Sequence, residues 1–272
     1  MTTSDFLERA APSALAEAAA VAPAPAVRLE GVCKSFGRAT APVLDDINLD
    51  VAAGELLCVL GASGCGKSTL LNLIAGLDRQ TGGRITVDGG HAALMFQESA
   101  LFPWLTAAGN VELALRLRKV PKAERRTEAK RLLSLVRLDG AADKRVHELS
   151  GGMRQRVAMA RALAQNSAVL LMDEPFAALD AITRDVLHEE LVSLWDGNAR
   201  AGRPLAIVFV THNVREAVRL GQRVVLLSSR PGRVAREWTV DMPQPRRIED
   251  TGVAGLAAEI TAELRREISR HA

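Results

Sequence analysis

No apolar run in this 272-residue sequence is long enough to cross a bilayer. The longest, around Leu205–Val210 and Val224–Leu227, have the length of strands, whereas a spanning helix takes about 20 apolar residues. A dominant charge is missing too: 35 basic residues face 32 acidic ones, a net of +3. Nucleic-acid binding ordinarily needs a concentrated basic patch, so that class of partner is not expected. The small basic excess suits work near an anionic membrane surface. Cysteine is scarce, and Cys33, Cys58 and Cys65 are scattered without metal-ligand spacing. An odd count without a secretory signal fits a reducing cytoplasm, where cysteine serves as a small apolar residue. Tyrosine is absent, so any ring that stacks on a ligand must come from another aromatic type.

Hydrophobic residues make up 48% of the chain, enough to bury one substantial core or two small linked ones. Residues 1–26 read as a disordered Ala/Pro-rich tail with room for a short helix around Ser13–Ala20. Asp5, Glu8 and Glu17 argue against a targeting peptide there. Regular patterning begins at Val27. Val27–Val32 and Val43–Val51 alternate apolar and polar residues, as half-buried strands do. Leu56–Leu60 is nearly all apolar, as expected of a strand covered on both faces. From Ala107 to Ala164 the pattern is helical, with Val111, Leu113, Leu115 and Leu117 offered as the first apolar face. Lys122–Leu138 follows as a charged, solvated helix. Strand signals return at Ala168–Met172, Leu205–Thr211 and Arg223–Leu227. A last amphipathic helix carries Val253, Leu256, Ile260, Leu264 and Ile268. Apolar strands separated by helices imply an α/β fold: a mostly parallel sheet between helices, with the central helical block inserted.

After Leu56–Leu60 comes Gly61-Ala62-Ser63-Gly64-Cys65-Gly66-Lys67-Ser68, followed by Thr69. It satisfies the phosphate-loop pattern G-x-x-x-x-G-K-[ST] between a strand and a helix. Glycines let successive backbone N–H groups converge on one anion, and the helix beginning near Gly66 adds its positive end. Lys67 can reach the β and γ phosphates, and Ser68 offers a hydroxyl to Mg²⁺. Downstream, Val169–Met172 ends in Asp173-Glu174. A strand end delivers such side chains to the carboxyl edge of the sheet, where ligands bind. Asp173 suits the Mg²⁺ shell, and Glu174 suits polarising an attacking water. Leu149-Ser150-Gly151-Gly152-Met153-Arg154-Gln155-Arg156 precedes an apolar-faced helix, with Ser150 as a good N-cap.

Together these segments resemble the ABC ATPases: a phosphate loop, a carboxylate pair on a strand end and the Ser150–Gly152 signature. The resemblance covers nearly everything from Val27 onward. It implies a phosphate-loop cassette with an antiparallel β part beside the core sheet, over residues 27–250. It also implies a helical subdomain at about 98–165 and a C-terminal helix at 251–272. It assigns Gln97, after strand-like Ala92–Phe96, to the Q-loop and the metal. His212, after Ile207–Val210, becomes the switch histidine. With Glu174, these two would serve hydrolysis. Ala177-Ala178-Leu179-Asp180 fits the D-loop, where Asp180 would help join two sites. Phe36 stands where the family places an adenine-stacking aromatic, often tyrosine; phenylalanine keeps the ring and loses the hydroxyl. Met153 departs from the polar residue the family often has after the two glycines.

The resemblance further implies ATP and Mg²⁺ as cofactors and a second copy of the chain, whose signature completes each site. One cassette without a membrane span or long coiled coil resembles an importer ATPase on the cytoplasmic face of the membrane. Two membrane-spanning permease subunits and an extracytoplasmic substrate-binding protein are then expected partners. The alternative of another class is a soluble, non-transport ABC ATPase acting as a clamp. Leu101-Phe102-Pro103-Trp104 and Ser229-Arg230-Pro231-Gly232-Arg233 resemble the nitrate, sulfonate and taurine importer group. Phe102 and Trp104 are candidates either for docking a permease or for packing inside the helical block. Val87–His91, Ala107–Val111 and Val240–Arg247 look most like aliphatic-sulfonate import ATP-binding proteins. Nitrate, taurine or a thiamine precursor remain alternative cargoes.

Overall fold

The computed structural model describes residues 25–37, 41–177 and 179–270. The tail expected at residues 1–26 lies outside them up to residue 24, as does Ala178 of the D-loop segment.

Strands β1 (Val27–Lys34), β2 (Leu44–Val51) and β4 (Gly82–Val87) form an antiparallel three-stranded sheet in the order β2-β1-β4. The larger sheet has the order β5-β6-β7-β3-β8-β9, with β3 at Leu56–Gly61, β5 at Ala93–Met95 and β6 at Val169–Asp173. Its remaining strands are β7 (Ala206–Val210), β8 (Arg223–Leu227) and β9 (Val234–Thr239). All its pairings are parallel except β8 with β9. The connecting helices are α1 (Lys67–Ile74), α2 (Ala107–Leu117), α3 (Lys122–Leu135), α4 (Gly151–Leu163), α5 (Ala181–Arg200), α6 (Val214–Leu220) and α7 (Thr251–Arg270).

The uninterrupted apolar strands have a direct cause. Along β3, Leu56, Cys58 and Leu60 join the core beneath the helical block, α5 and α6, while Leu57 and Val59 join the core shared with α1 and the small sheet. β6, β7 and β8 divide in the same way: Leu170, Phe209 and Leu226 on one side, Leu171, Val208 and Val225 on the other. With both faces covered, polar residues are confined to the strand ends, Asp173 in β6 and Arg223 in β8. β1 and β2 have one buried face and keep the alternation.

Two helical faces differ from the expected ones. α2 buries Ala107, Ala108, Asn110, Val111, Ala114 and Leu115, while Leu117 is exposed. Its apolar residues at every second position cannot all share a face with a 3.6-residue period, so small alanines complete the buried stripe. α7 buries Val253, Ala257 and Ile260, then Glu263 and Glu267, leaving Ile268 exposed. Those glutamates are neutralised by Arg236 and Arg266 at Glu263 and by Arg270 at Glu267. The charged stretch over α3 behaves as expected, burying only Ala129, Leu132 and Leu133.

Candidate functional site

The strand order decides where the chemistry collects. Gln97 follows β5, Asp173-Glu174 closes β6, His212 follows β7 and the phosphate loop follows β3. These four strands are parallel neighbours, so all four segments emerge at one carboxyl edge. Three of them line a cleft of about 330 Å³, formed by Ser63, Gly64, Gly66, Lys67, Ser68 and Thr69 with Gln97, Asp173 and Glu174, and His212 borders an adjoining hollow that shares Glu174.

The loop wraps tightly from the end of β3 to the start of α1. Gly66 sits at φ +104° as the residue preceding α1, and a β-carbon there would stand 2.6 Å from Leu44 Cδ2. Only glycine meets both demands. α1 therefore starts at Lys67, and its positive end faces the cleft. Lys67 is 7% exposed and donates from Nζ to the carbonyls of Gly61 at 2.8 Å and Ala62 at 3.0 Å. The ammonium is thus held on the loop it would serve. Cys65 is buried beneath the loop, and burial raises its thiol pKa. It is a packing residue, as is Cys58 in β3, raised further by the same cause.

Asp173 is half-buried, and that desolvation raises its carboxyl pKa against the lowering influence of the Ser68 hydroxyl hydrogen bond. Nearby Glu174 raises it further and Lys67 opposes. One carboxylate, one hydroxyl and the Gln97 amide form a hard-oxygen donor set suited to Mg²⁺, which keeps several waters and substrate phosphates in its shell. Among the described residues no group of three or more His, Cys, Asp and Glu side chains is arranged to hold a metal ion by itself. A magnesium ion shared with phosphates does not need one.

Glu174 sits at φ +42°, a strained value for a non-glycine residue. Its amide donates to Val210 O at 3.0 Å, completing the Asp173–Val210 pair that ends the β6–β7 ladder. Its Oε2 lies 2.9 Å from His212 Nδ1. The pairing of β6 with β7 thus brings together two side chains 38 residues apart in sequence.

The signature lies elsewhere. Ser150 caps α4, its hydroxyl accepting from Met153 N at 3.2 Å, and both Ser150 and Gly151 are exposed. A β-carbon on Gly152 would meet Thr183 Cγ2 at 2.8 Å, so this glycine lets α4 approach the start of α5. None of residues 150–152 lines the phosphate cleft of its own chain. Met153 is half-buried against the main core, which gives a methionine a place there. Asp180 caps α5; hydrogen bonding from Thr183 N, at 2.9 Å from its carboxylate, holds its pKa below the usual range. Phe36 is half exposed with Lys34 Nζ 4.7 Å from its ring centre. Lys34 in turn reaches Asp78 at 2.7 Å, and that hydrogen bond lowers the Asp78 pKa.

Two residues outside the sequence assignments join this region. Gln155 of α4 is buried and donates from Nε2 to Gln97 O at 3.2 Å and to Pro175 O. Arg230 reaches the outer side of Gly64, its Nη2 3.2 Å from where a β-carbon would stand. The Ser229–Arg233 segment was visible in the sequence, but its fold back onto the phosphate loop depends on the β8–β9 hairpin. Gly232 makes that return by exchanging backbone hydrogen bonds with Val43 and Asp45.

Residues 44–177 match the family described as ABC transporter. A taurine import ATP-binding protein of Pseudomonas putida is 45% identical over 225 residues, covering 80% of this chain and 84% of that protein. This chain belongs to the ABC transporter family, as an ATP-binding domain. A nitrate import ATP-binding protein of Synechocystis is 46% identical, over 76% of this chain and 78% of that one. Among solved structures, an ATP-binding cassette determined as a dimer in a post-hydrolysis state with ADP and Pi aligns with a TM-score of 0.70. It is 33% identical and covers 80% of this chain and all of that one.

Proposed function

We propose that the cleft binds ATP with Mg²⁺ and hydrolyses it to drive an importer, the chain acting as a peripheral subunit on the cytoplasmic face of the membrane. The observation that carries this reading is the Glu174–His212 pair, 2.9 Å apart beside a cleft that also holds Lys67, Ser68, Gln97 and Asp173. Backbone amides of Gly64 to Thr69 would cradle the phosphates, and Lys67 would move from its loop carbonyls to the β and γ phosphates. Ser68 and Asp173, with Gln97, would hold Mg²⁺, whose contribution is to neutralise charge developing on the phosphate oxygens. Glu174 orients the attacking water, and His212, hydrogen-bonded to Glu174, is placed to steady that water and the γ-phosphate. Phe36 supplies a stacking face for adenine.

The exposed signature, away from the cleft of its own chain, supports a dimer in which Ser150–Gly152 of one copy complete the site of the other. The dimeric cassette with ADP and Pi is a precedent for that assembly. No described helix is long and apolar enough to cross a membrane, so the import path belongs to two permease subunits fed by an extracytoplasmic binding protein. Phe102 and Trp104 support the contact with a permease. Their rings pack at a tilt of 54° with centres 5.5 Å apart; the two residues are 37% and 68% exposed and lie just beyond Gln97 in sequence. For cargo we favour a small aliphatic sulfonate. Taurine, itself one, appears in the name of a relative, and nitrate in that of another.

Glu174→Gln is expected to bind ATP while losing nearly all turnover, and Lys67→Ala to weaken ATP binding. Turnover by Glu174→Gln at the wild-type rate would overturn the hydrolytic assignment. Growth of a deletion strain on taurine, other sulfonates or nitrate, as the sole source of sulfur or nitrogen, tests the cargo.

A further inference from the structure

The switch segment around His212 is tied into the protein interior by side chains that the cleft does not use. Thr211 and His188 are each 2% exposed and Glu216 is 6% exposed. Thr211 donates its hydroxyl hydrogen to Glu216 Oε2 and accepts from Asn213 N at 3.0 Å. Its one side chain therefore engages the peptide on the far side of His212 and a buried carboxylate on α6. Asn213 closes the ring, its Oδ1 accepting from Arg215 N at 3.1 Å and Glu216 N at 3.3 Å. The second oxygen of Glu216 lies 2.6 Å from His188 Nε2 on α5. His188 Nδ1 faces Arg219 Nη1 at 3.4 Å, and Arg219 is itself paired with Asp185. With a carboxylate at one ring nitrogen and a guanidinium at the other, the proton belongs on Nε2 and the lone pair on Nδ1. The Phe176 ring packs edge-on against His188 at 5.5 Å.

A polar chain so deeply buried is costly unless every member is satisfied, and once satisfied it specifies a single geometry. An apolar residue at 211 would suit its buried surroundings as well. What the polar chain fixes is the backbone on both sides of His212, whose own side chain is exposed and otherwise free to swing. We propose that Thr211, Glu216 and His188 are positioning residues that hold His212 against Glu174 by anchoring its flanking peptides to α5 and α6. The anchor is directional. α5 starts at its cap Asp180, beside the signature glycine's contact with Thr183. A shift of α5 on dimer closure would therefore be felt at the switch loop. Misplacement of a catalytic group by about 1 Å can cost on the order of a hundredfold in rate.

This inference rests on the hydrolytic reading of the cleft, and the experiment separates the two. Steady-state ATP hydrolysis is measured with the full chain and its T211V, T211S, H212A and T211V/H212A variants, with E174Q in parallel. T211V is expected to lower kcat at least tenfold with KM for ATP within twofold, and T211S to recover most of the loss. In the H212A background, T211V should change the residual rate by less than twofold, because the group it positions is gone. A wild-type kcat for T211V, or an equal fold-loss with and without His212, would overturn the relay. If T211V does not yield folded protein, H188L supplies the same comparison by cutting the far tether of Glu216 and leaving Thr211 intact. E174Q that hydrolyses normally would instead overturn the reading of the cleft; E174Q inactive beside a normal T211V would remove the relay alone.

Discussion

Gln155 joins three functional segments with one amide. From the helix that follows the signature it reaches the carbonyl of Gln97 in one loop and that of Pro175, directly after Glu174, in another. Side chains of this kind are invisible to motif reading: in sequence Gln155 is one more polar residue on an amphipathic helix. Its burial shows that it faces inward. Replacing it with alanine leaves two carbonyls short of a donor, at a cost of about 1–3 kcal/mol where such groups are buried. In a domain of this size that corresponds to a fall in melting temperature of roughly 2–12 °C. Gln155→Ala should show this fall by thermal unfolding, and its ATPase rate should drop because Gln97 and Glu174 lose a shared support. An unchanged rate in a folded, destabilised variant would reduce Gln155 to a packing role.

At the scale of elements, the loop between β5 and α2 is the clearest case of a surface held from behind. Asn110 is fully buried in α2; its Oδ1 accepts from Phe102 N at 2.8 Å and its Nδ2 donates to Phe102 O and Thr106 O. Arg161 of α4 adds bonds to the carbonyls of Ser99 and Ala100 at 2.9 and 2.7 Å. Phe102 and Trp104 are exposed on a pinned backbone. Asn110→Ala should leave basal ATP hydrolysis within about twofold, since no cleft residue is touched, but should abolish stimulation by the reconstituted permease. Stimulation at the wild-type level would dissociate this loop from coupling. The same region shows what the sequence could and could not disclose. Strands β3, β6, β7 and β8 were legible because burial on both faces leaves an unbroken apolar run. α2 and α7 were legible as helices but not in their faces, because Asn110, Glu263 and Glu267 are buried polar residues, held by Phe102 of the preceding loop, by Arg236 of β9 with Arg266, and by Arg270. β4 and β9 gave little apolar signal: each buries few side chains and is fixed by pairing with β1 or β8. The phosphate loop and Asp173-Glu174 could be read from local pattern, whereas the 2.9 Å contact of Glu174 with His212 required the strand order.

For the molecule as a whole, the position of the signature matters most. Ser150 is exposed and outside the cleft of its own chain, so two arrangements make different demands on a mixture of defective copies. Take one chain carrying Lys67→Ala and another carrying Ser150→Arg. The second substitution removes an N-cap worth about 1 kcal/mol and should leave the cassette folded. If each site joined a phosphate loop and a signature from the same chain, both chains would be inactive and their mixture equally so. If the sites are shared across a two-fold axis, a mixed dimer places both defects in one site and leaves the other intact. Random pairing makes half the dimers mixed, each with one sound site of two, so an equimolar mixture should recover roughly a quarter of wild-type turnover when sites act independently. Strict coupling between sites would lower that fraction, and comparison with a mixture of wild-type and Lys67→Ala chains measures the coupling directly. Turnover no higher than that of either variant alone, while the wild-type and Lys67→Ala mixture retains activity in its mixed dimers, would remove the shared-site arrangement.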